Sequence, residues 1–279
     1  MTVVSIGDQV RKGTYPFHSR FHRAVNFRHG DLLISVVNEE IGPGPLNIVV
    51  CDLDAGPACG RVAPLEVGAH VVVFGNRQFQ FTDNHSYRST VALDSCNRRL
   101  FRHNLSVFGE QLKTMSPAKS LAFLLDEKRT QNFRSGFERA FVDQIRRDVH
   151  QIMNGNLLNG VRGLKGCGFG LTPSGDDFIA GLLIGLNLLQ QLRGQDYQEI
   201  ADDVFRTAKA GNIFSNSFLD LARRGLLFGR MKDLVLALMH ESEEMVRQSA
   251  ARLMAIGESS GADLGTGFLL TVCGEMGVS

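Results

Sequence analysis

Residues able to do chemistry are concentrated in one stretch of this 279-residue chain. Gly166-Cys167-Gly168-Phe169-Gly170-Leu171-Thr172-Pro173-Ser174-Gly175-Asp176-Asp177-Phe178 runs directly into the apolar segment Ile179 to Leu189. A glycine-rich loop entering a helix presents backbone N–H groups and the positive end of the helix dipole, which together bind phosphate or carboxylate. Gly168, Gly170, Thr172, Ser174 and Gly175 are therefore the candidate cradle for an anionic substrate, with Thr172 and Ser174 adding hydroxyl donors. Carboxylates at the same mouth repel a bare anion. Asp176 and Asp177, the candidate catalytic residues, thus point to a divalent cation such as Mg²⁺, a bound amide or ammonium donor, or proton transfer at the ligand. No set of metal ligands is assigned.

A second copy of the loop-to-helix pattern lies 86 residues on (263 minus 177). Ser260-Gly261-Ala262-Asp263-Leu264-Gly265-Thr266-Gly267 repeats the order of Ser174 to Gly181 as Ser-Gly-x-Asp-apolar-x-x-Gly. Ser260, Gly261 and Asp263 join the candidate substrate-binding residues, and if the copies are equivalent in space, Asp177 and Asp263 face one site. Both copies also admit a plainer reading. Ser174 with Asp177, and Ser260 with Asp263, have the spacing of a capping box, worth ~1 kcal/mol per cap. Pro173 suits the first turn of a helix, and Gly181 and Gly185 let helices approach closely. Capping leaves unexplained the alternation of Gly166, Gly168 and Gly170 and the additional Asp176.

Neither copy is a nucleotide signature: Gly-x-x-x-x-Gly-Lys-Ser/Thr is absent, and the dinucleotide-binding spacing is not met. His150 and His240 fall on ordinary amphipathic helices, and Cys167 reads as a small packing residue.

Two kinds of element must position these residues. Up to about Leu105 the chain shows short β-branched or alternating runs, at Leu32 to Val37, Asn47 to Cys51, His70 to Phe74, Phe79 to Phe81 and Thr90 to Leu93. Turn residues separate them, among them Gly42-Pro43-Gly44-Pro45 and Asp54-Ala55-Gly56-Pro57. Phe17 to His29 alternates like a strand with Phe17, Phe21, Val25 and Phe27 on one face and His18, Arg20, His22 and Arg28 on the other. That basic face suits an anionic ligand or a partner subunit, or equally a solvated edge that blocks unwanted pairing.

Beyond Leu105 the period becomes helical, from Ser116-Pro117-Ala118 read as a helix start. Further helices are expected over 137–152, 176–192, 197–209, 216–227, 232–239 and 243–255, with a last one from Ala262. The expected class is α+β: a β-rich, sandwich- or barrel-like domain over 1–105, then a mostly α-helical domain over 106–279 that carries both motifs.

Composition sets outer bounds. With 43% hydrophobic and 21% charged residues the chain reads as an ordinary globular protein. A net charge of +1 is no footprint for a nucleic acid or an anionic membrane surface. Five scattered cysteines without a Cys-x-x-Cys pair fit a reducing cytoplasm, and no signal peptide or membrane span is expected. Glycine-spaced buried helices also allow self-association into a homo-oligomer.

The run Gly166-x-Gly168-x-Gly170-Leu171-Thr172-Pro173-Ser174-Gly175-Asp176-Asp177-Phe178-x-x-Gly181, with Ile256-Gly257-x-Ser259-Ser260-Gly261-x-Asp263, resembles the AllH (YlbF-like) family, formerly a domain of unknown function. Ile213 to Leu219 with Ala222 and Gly225, and the N-terminal Phe21-x-x-Ala24-Val25-Asn26, are similar to it too. The resemblance implies a subunit of oxamate carbamoyltransferase, which in anaerobic allantoin breakdown moves a carbamoyl group between oxalurate and phosphate. It also implies partner subunits of the FdrA and AllG types. Two other readings stay open: a non-catalytic scaffold for partner subunits, and a Mg²⁺-dependent hydrolase built on the aspartates.

Overall fold

The computed structural model describes residues 2–51, 53, 63–92 and 97–274. Strands come first and helices second, so the fold is α+β, as the change of period implies. The expected turn at Asp54 to Pro57 lies outside the described residues, as do Cys59 and Cys96.

The strands are β1 (Val3–Gly7), β2 (Gly13–Tyr15), β3 (Phe17–Phe21), β4 (Ala24–His29), β5 (Leu32–Val37), β6 (Asn47–Val50), β7 (Leu65–Val67), β8 (Val71–Phe74), β9 (Arg77–Gln80) and β10 (Ser86–Tyr87). They form a six-stranded sheet in the order β10-β1-β6-β5-β4-β3 and a four-stranded sheet in the order β2-β7-β8-β9. Alternation along β4 and β5 buries Val25, Phe27, Ile34 and Val36. Phe27 of the larger sheet meets Phe74 of the smaller edge-to-face at 5.8 Å, and Tyr15 meets His29 at 5.1 Å, so the two sheets share aromatic contacts.

Phe17 to His29 is a hairpin rather than one strand, with its turn at His22 and Arg23. The single-face reading fails for that reason: Val25 and Phe27 are buried, whereas Phe17 and Phe21 remain exposed. Arg23 pairs with Glu40 at 2.8 Å. Thr90 to Ala92 form no strand, and Leu93 is outside the described residues. By contacts the first compact unit comprises residues 1–90 and 226–232, the second 91–225 and 233–279. Within the first unit, Leu227 N–H donates to the Ser89 carbonyl and the Tyr87 hydroxyl donates to the Leu227 carbonyl.

The helices are α1 (Arg98–Met115), α2 (Gly136–Met153), α3 (Leu157–Leu164), α4 (Ser174–Arg193), α5 (Gln198–Ala208), α6 (Ile213–Arg223), α7 (Gly229–His240), α8 (Glu243–Met254) and α9 (Ser260–Val272). Ser116 closes α1 instead of opening a helix, and Leu121–Leu124 is only a short 3-10 turn. The apolar stripe of α1 is interrupted by buried Asn104, which hides its helical period. Its amide nitrogen donates to the carbonyls of Ala237, Leu238 and Glu241 around the end of α7, while its Oδ1 is buried without a partner.

The second unit is organised around α4 and α9, both apolar and buried along nearly their whole length. Their backbones touch. A Cβ on Gly181 would stand 2.0 Å from the Leu264 carbonyl oxygen, and one on Gly267 would stand 2.1 Å from that of Phe178. Each contact is the other's counterpart at the same 86-residue offset (264 minus 178; 267 minus 181), so the two copies pack with local pseudo-twofold symmetry. Because backbone on one side of each contact cannot move aside, Gly181→Ala and Gly267→Ala are each expected to cost ~3 kcal/mol or more, or to prevent folding, as measured by urea unfolding.

Candidate functional site

The twin loop-to-helix segments meet where α4 and α9 begin. Ser174 and Ser260 occupy the first position of their helices, and the residues before them, Pro173 and Ser259, make no side-chain cap bond. The expected capping boxes are therefore absent, because both serine hydroxyls are turned across the helix pair. Ser174 hydrogen-bonds Asp263, and Ser260 hydrogen-bonds Asp177. Each helix thus supplies the hydroxyl that serves the other's carboxyl. Thr172 completes the first side, donating to Asp177 Oδ2 at 3.1 Å and lying 3.3 Å from the Ser260 hydroxyl. On the other side, Asp263 accepts from Leu121 N–H at 2.6 Å and from the Ser259 hydroxyl at 2.8 Å.

The remaining sequence candidates divide between loop architecture and packing. Asp176 is buried and accepts from Gly166 N–H at 2.7 Å, so it clasps the start of the glycine loop against α4. The loop is pinned again where Gly175 N–H donates to the Cys167 carbonyl at 2.8 Å, which occupies an N–H otherwise suited to a ligand. Gly168 is needed for geometry. Its φ is +116°, and an added Cβ would lie 2.6 Å from Ser174 N. Gly170 stands at the exposed tip of the loop. Gly175 and Gly261 face the carbonyls of Leu164 and Leu253, at 2.0 and 1.9 Å from an added Cβ, and so serve close packing.

No basic side chain is bonded to the two paired carboxyls among the described residues, and burial governs their titration. Burial raises Asp177 well above the usual carboxylate range, opposed by the Ser260 bond, while the neighbouring Asp263 charge raises it further. Asp263 is pushed up to about 6 by burial, against hydrogen bonds from Leu121, Ser174 and Ser259. Burial thus favours the protonated form of Asp177, which lies beside the half-exposed Thr172 and Ser260. The protonated form carries no charge to repel an anion at this mouth and has an O–H to donate. The positive dipole ends of α4 and α9 act in the opposite sense, favouring the ionised forms. Burial, together with Asp148 and Asp176, raises the Cys167 thiol, so that residue is no ready thiolate nucleophile.

Among the described residues no group of three His, Cys, Asp or Glu side chains is placed to hold a metal ion. The oxygens a Mg²⁺ ion would need are engaged in the Thr172, Ser260, Leu121 and Ser259 bonds just described. Elsewhere, in the first unit, an open cavity of about 650 Å³ is lined by His70, Gln80, Asp83 and His85. The motif residues take no part in it.

Sequence reasoning assigns no role of their own to Leu121, Ser259, Asn212 and Ser215. Asn212 had a readable signal, an Asn just ahead of a helical pattern; it accepts from Phe214 and Ser215 N–H and caps α6. Leu121 gave none, since its part is played by a backbone N–H.

The second unit is thus a helical assembly in which two glycine-led helix starts enclose a carboxyl pair. Residues 164–272, from the end of α3 to the end of α9, match the model of the family described as oxamate carbamoyltransferase subunit AllH. Over that segment the resemblance read from the two motifs is shown. No curated protein matches the chain, and no solved structure does. A subunit family implies partner proteins, and no helix among the described residues is long and apolar enough to cross a membrane.

The raised Asp263 carboxyl has a definite sign for stability. A carboxyl whose folded pKa exceeds its unfolded value of 3.8 stabilises the fold fully below that value. The contribution is lost as pH rises through about 6, and amounts to roughly 3 kcal/mol. Melting temperature is expected to fall between about pH 4 and about pH 6.5, and Asp263→Asn to flatten that part of the profile. Exposed Glu138, lowered from 4.5 to about 2 by Lys119 and by the N–H groups of Ser135 and Arg134, acts with the opposite sign and mainly below this window.

Proposed function

We propose that this chain is the subunit of an oxamate carbamoyltransferase that holds the anionic substrate, at the mouth formed by Thr172, Ser174, Ser260 and the loop around Gly168. The observation that carries this reading is the crossed Ser174–Asp263 and Ser260–Asp177 pairing. It gathers two helix N-termini, three hydroxyls and a carboxyl that burial pushes toward its protonated form, with no basic side chain bonded to the carboxyls among the described residues.

In the transfer, a phosphate oxygen attacks the carbamoyl carbon of oxalurate, giving a tetrahedral intermediate with a developing oxyanion. The bond from that carbon to the oxamate nitrogen then breaks, the nitrogen takes a proton, and carbamoyl phosphate and oxamate leave. Hydroxyl donors and helix dipoles aimed at the developing oxyanion lower the barrier. Asp177 supplies the O–H that orients the amide or donates the proton. Asp176 acts through the loop as a positioning residue. Partner subunits of the FdrA and AllG types complete the enzyme in this reading, which places it in the cytoplasm.

The test is Asp177→Asn in the reconstituted complex. Transfer is expected to fall about 100-fold or more while the melting temperature changes little, because Asn keeps an acceptor for Thr172. A large stability loss with activity per folded molecule intact would return the carboxyl to a packing role.

A second reading, a scaffold that holds partner subunits, is favoured by one observation. Phe137 and Phe169 are 67% and 68% exposed, with ring centroids 5.6 Å apart beside the glycine loop, as in the apolar centre of a protein interface. It predicts that Phe169→Ala releases the partner subunits in co-purification while the transfer rate per assembled complex stays at the wild-type level.

A further inference from the structure

A third helix start also closes on the glycine loop. Asn212 caps α6 through Oδ1, while its Nδ2 donates to the Leu171 carbonyl at 2.7 Å, so one side chain both begins the helix and ties it to the loop. Sixteen residues further along the chain from Leu171, Asn187 of α4 donates to the carbonyls of Ala222 and Arg223 near the end of α6, each at 3.1 Å. The two contacts advance together along both helices, so α4 and α6 run side by side in the same direction.

Ser215, Leu219 and Ala222 share one face of α6 by their spacing of four and three. Leu219 and Ala222 are buried, and Ala222 abuts α4 through Asn187. Interpolation between the two contacts sets Ser215 alongside the first turns of α4, where Asp176 and Asp177 stand. Ser215 is 2% exposed, and its hydroxyl has no hydrogen-bond partner. A buried hydroxyl left unpaired is unfavourable, and alanine would fill the same place without that cost.

We propose that the first turn of α6 is a third wall of the oxyanion site, with the Ser215 hydroxyl donating to a bound phosphate or carboxylate and Asn212 as the positioning residue that sets α6 against the loop. This rests on the reading of the α4 and α9 N-termini as an anion site. It adds a third dipole end and a donor that neither motif supplies.

Calorimetric titration of the full chain with inorganic phosphate tests it, with melting temperatures measured in parallel. Ser215→Ala is expected to weaken phosphate binding at least about tenfold while the melting temperature holds or rises. Asn212→Ser keeps a capping hydroxyl and loses the donor to Leu171, so it is expected to leave stability near wild type and weaken phosphate in the same direction. If the wild-type chain takes up no phosphate, the anion-site reading falls and this inference with it. If wild type binds and Ser215→Ala binds equally well, the inference alone is overturned, whether or not stability changes.

Discussion

The backbone contact between α4 and α9 is the constraint on which the second unit depends. Gly181 against the Leu264 carbonyl and Gly267 against the Phe178 carbonyl bring two helices closer than any side chain would allow. Asp177 and Asp263 lie one helical turn before the two glycines, and Ser174 and Ser260 three residues before the aspartates. Fixing the glycine crossing thus fixes the helix starts side by side, and the serines meet the opposite aspartates because nothing larger than a glycine separates the axes. The carboxyl pairing is a consequence of the packing, and the packing is only tolerable with glycine at those positions.

Burying two carboxyls in this way is unfavourable unless they are neutralised or well bonded. The protein uses both means. Asp263 takes three hydrogen bonds, from Leu121 N–H and the hydroxyls of Ser174 and Ser259, and titrates near neutrality. Asp177 is raised well above the usual carboxylate range by burial and then by the Asp263 charge, against the Ser260 and Thr172 hydroxyl bonds. No lysine or arginine is bonded to either among the described residues. A pair held only for stability would be better served by apolar residues of the same size, and this supports the proposed function.

Much of this was legible in the sequence, because glycine and serine in a repeated order report backbone geometry directly. The 86-residue echo suggests that Asp177 and Asp263 face each other, and the crossing of α4 and α9 makes them neighbours. The α+β order also follows from the change of period. What was not legible depends on partners remote in sequence. Ser174 and Ser260 have the spacing of capping residues, and only the crossing of α4 and α9 reveals that their hydroxyls serve the opposite helix. Asp176 looks like a second acid, yet its carboxylate is bound to Gly166 N–H. The hairpin at His22 and Arg23 is hidden by alternation that continues through its turn, and α1 by the buried polar Asn104.

The two copies are not equal, and their difference assigns their roles. From Leu164, the carbonyl that Gly175 packs against, the first connection runs eleven positions; from Leu253 to Gly261 the second runs eight. The three additional residues lengthen the first loop, which rises to the exposed Phe169, Gly170 and Leu171. The shorter loop lets Ser259 reach back to Asp263, and Leu121 N–H covers the other oxygen, so that carboxyl is 0% exposed and fully engaged. Asp177 instead lies under Thr172 and Ser260, which are half-exposed and held only by hydroxyl bonds that a ligand can replace. Asp263 is therefore the anchor that keeps the pair in register. In the proposed function Asp177 is the member that exchanges a proton with the substrate, since the bonds covering it are the ones a ligand can replace.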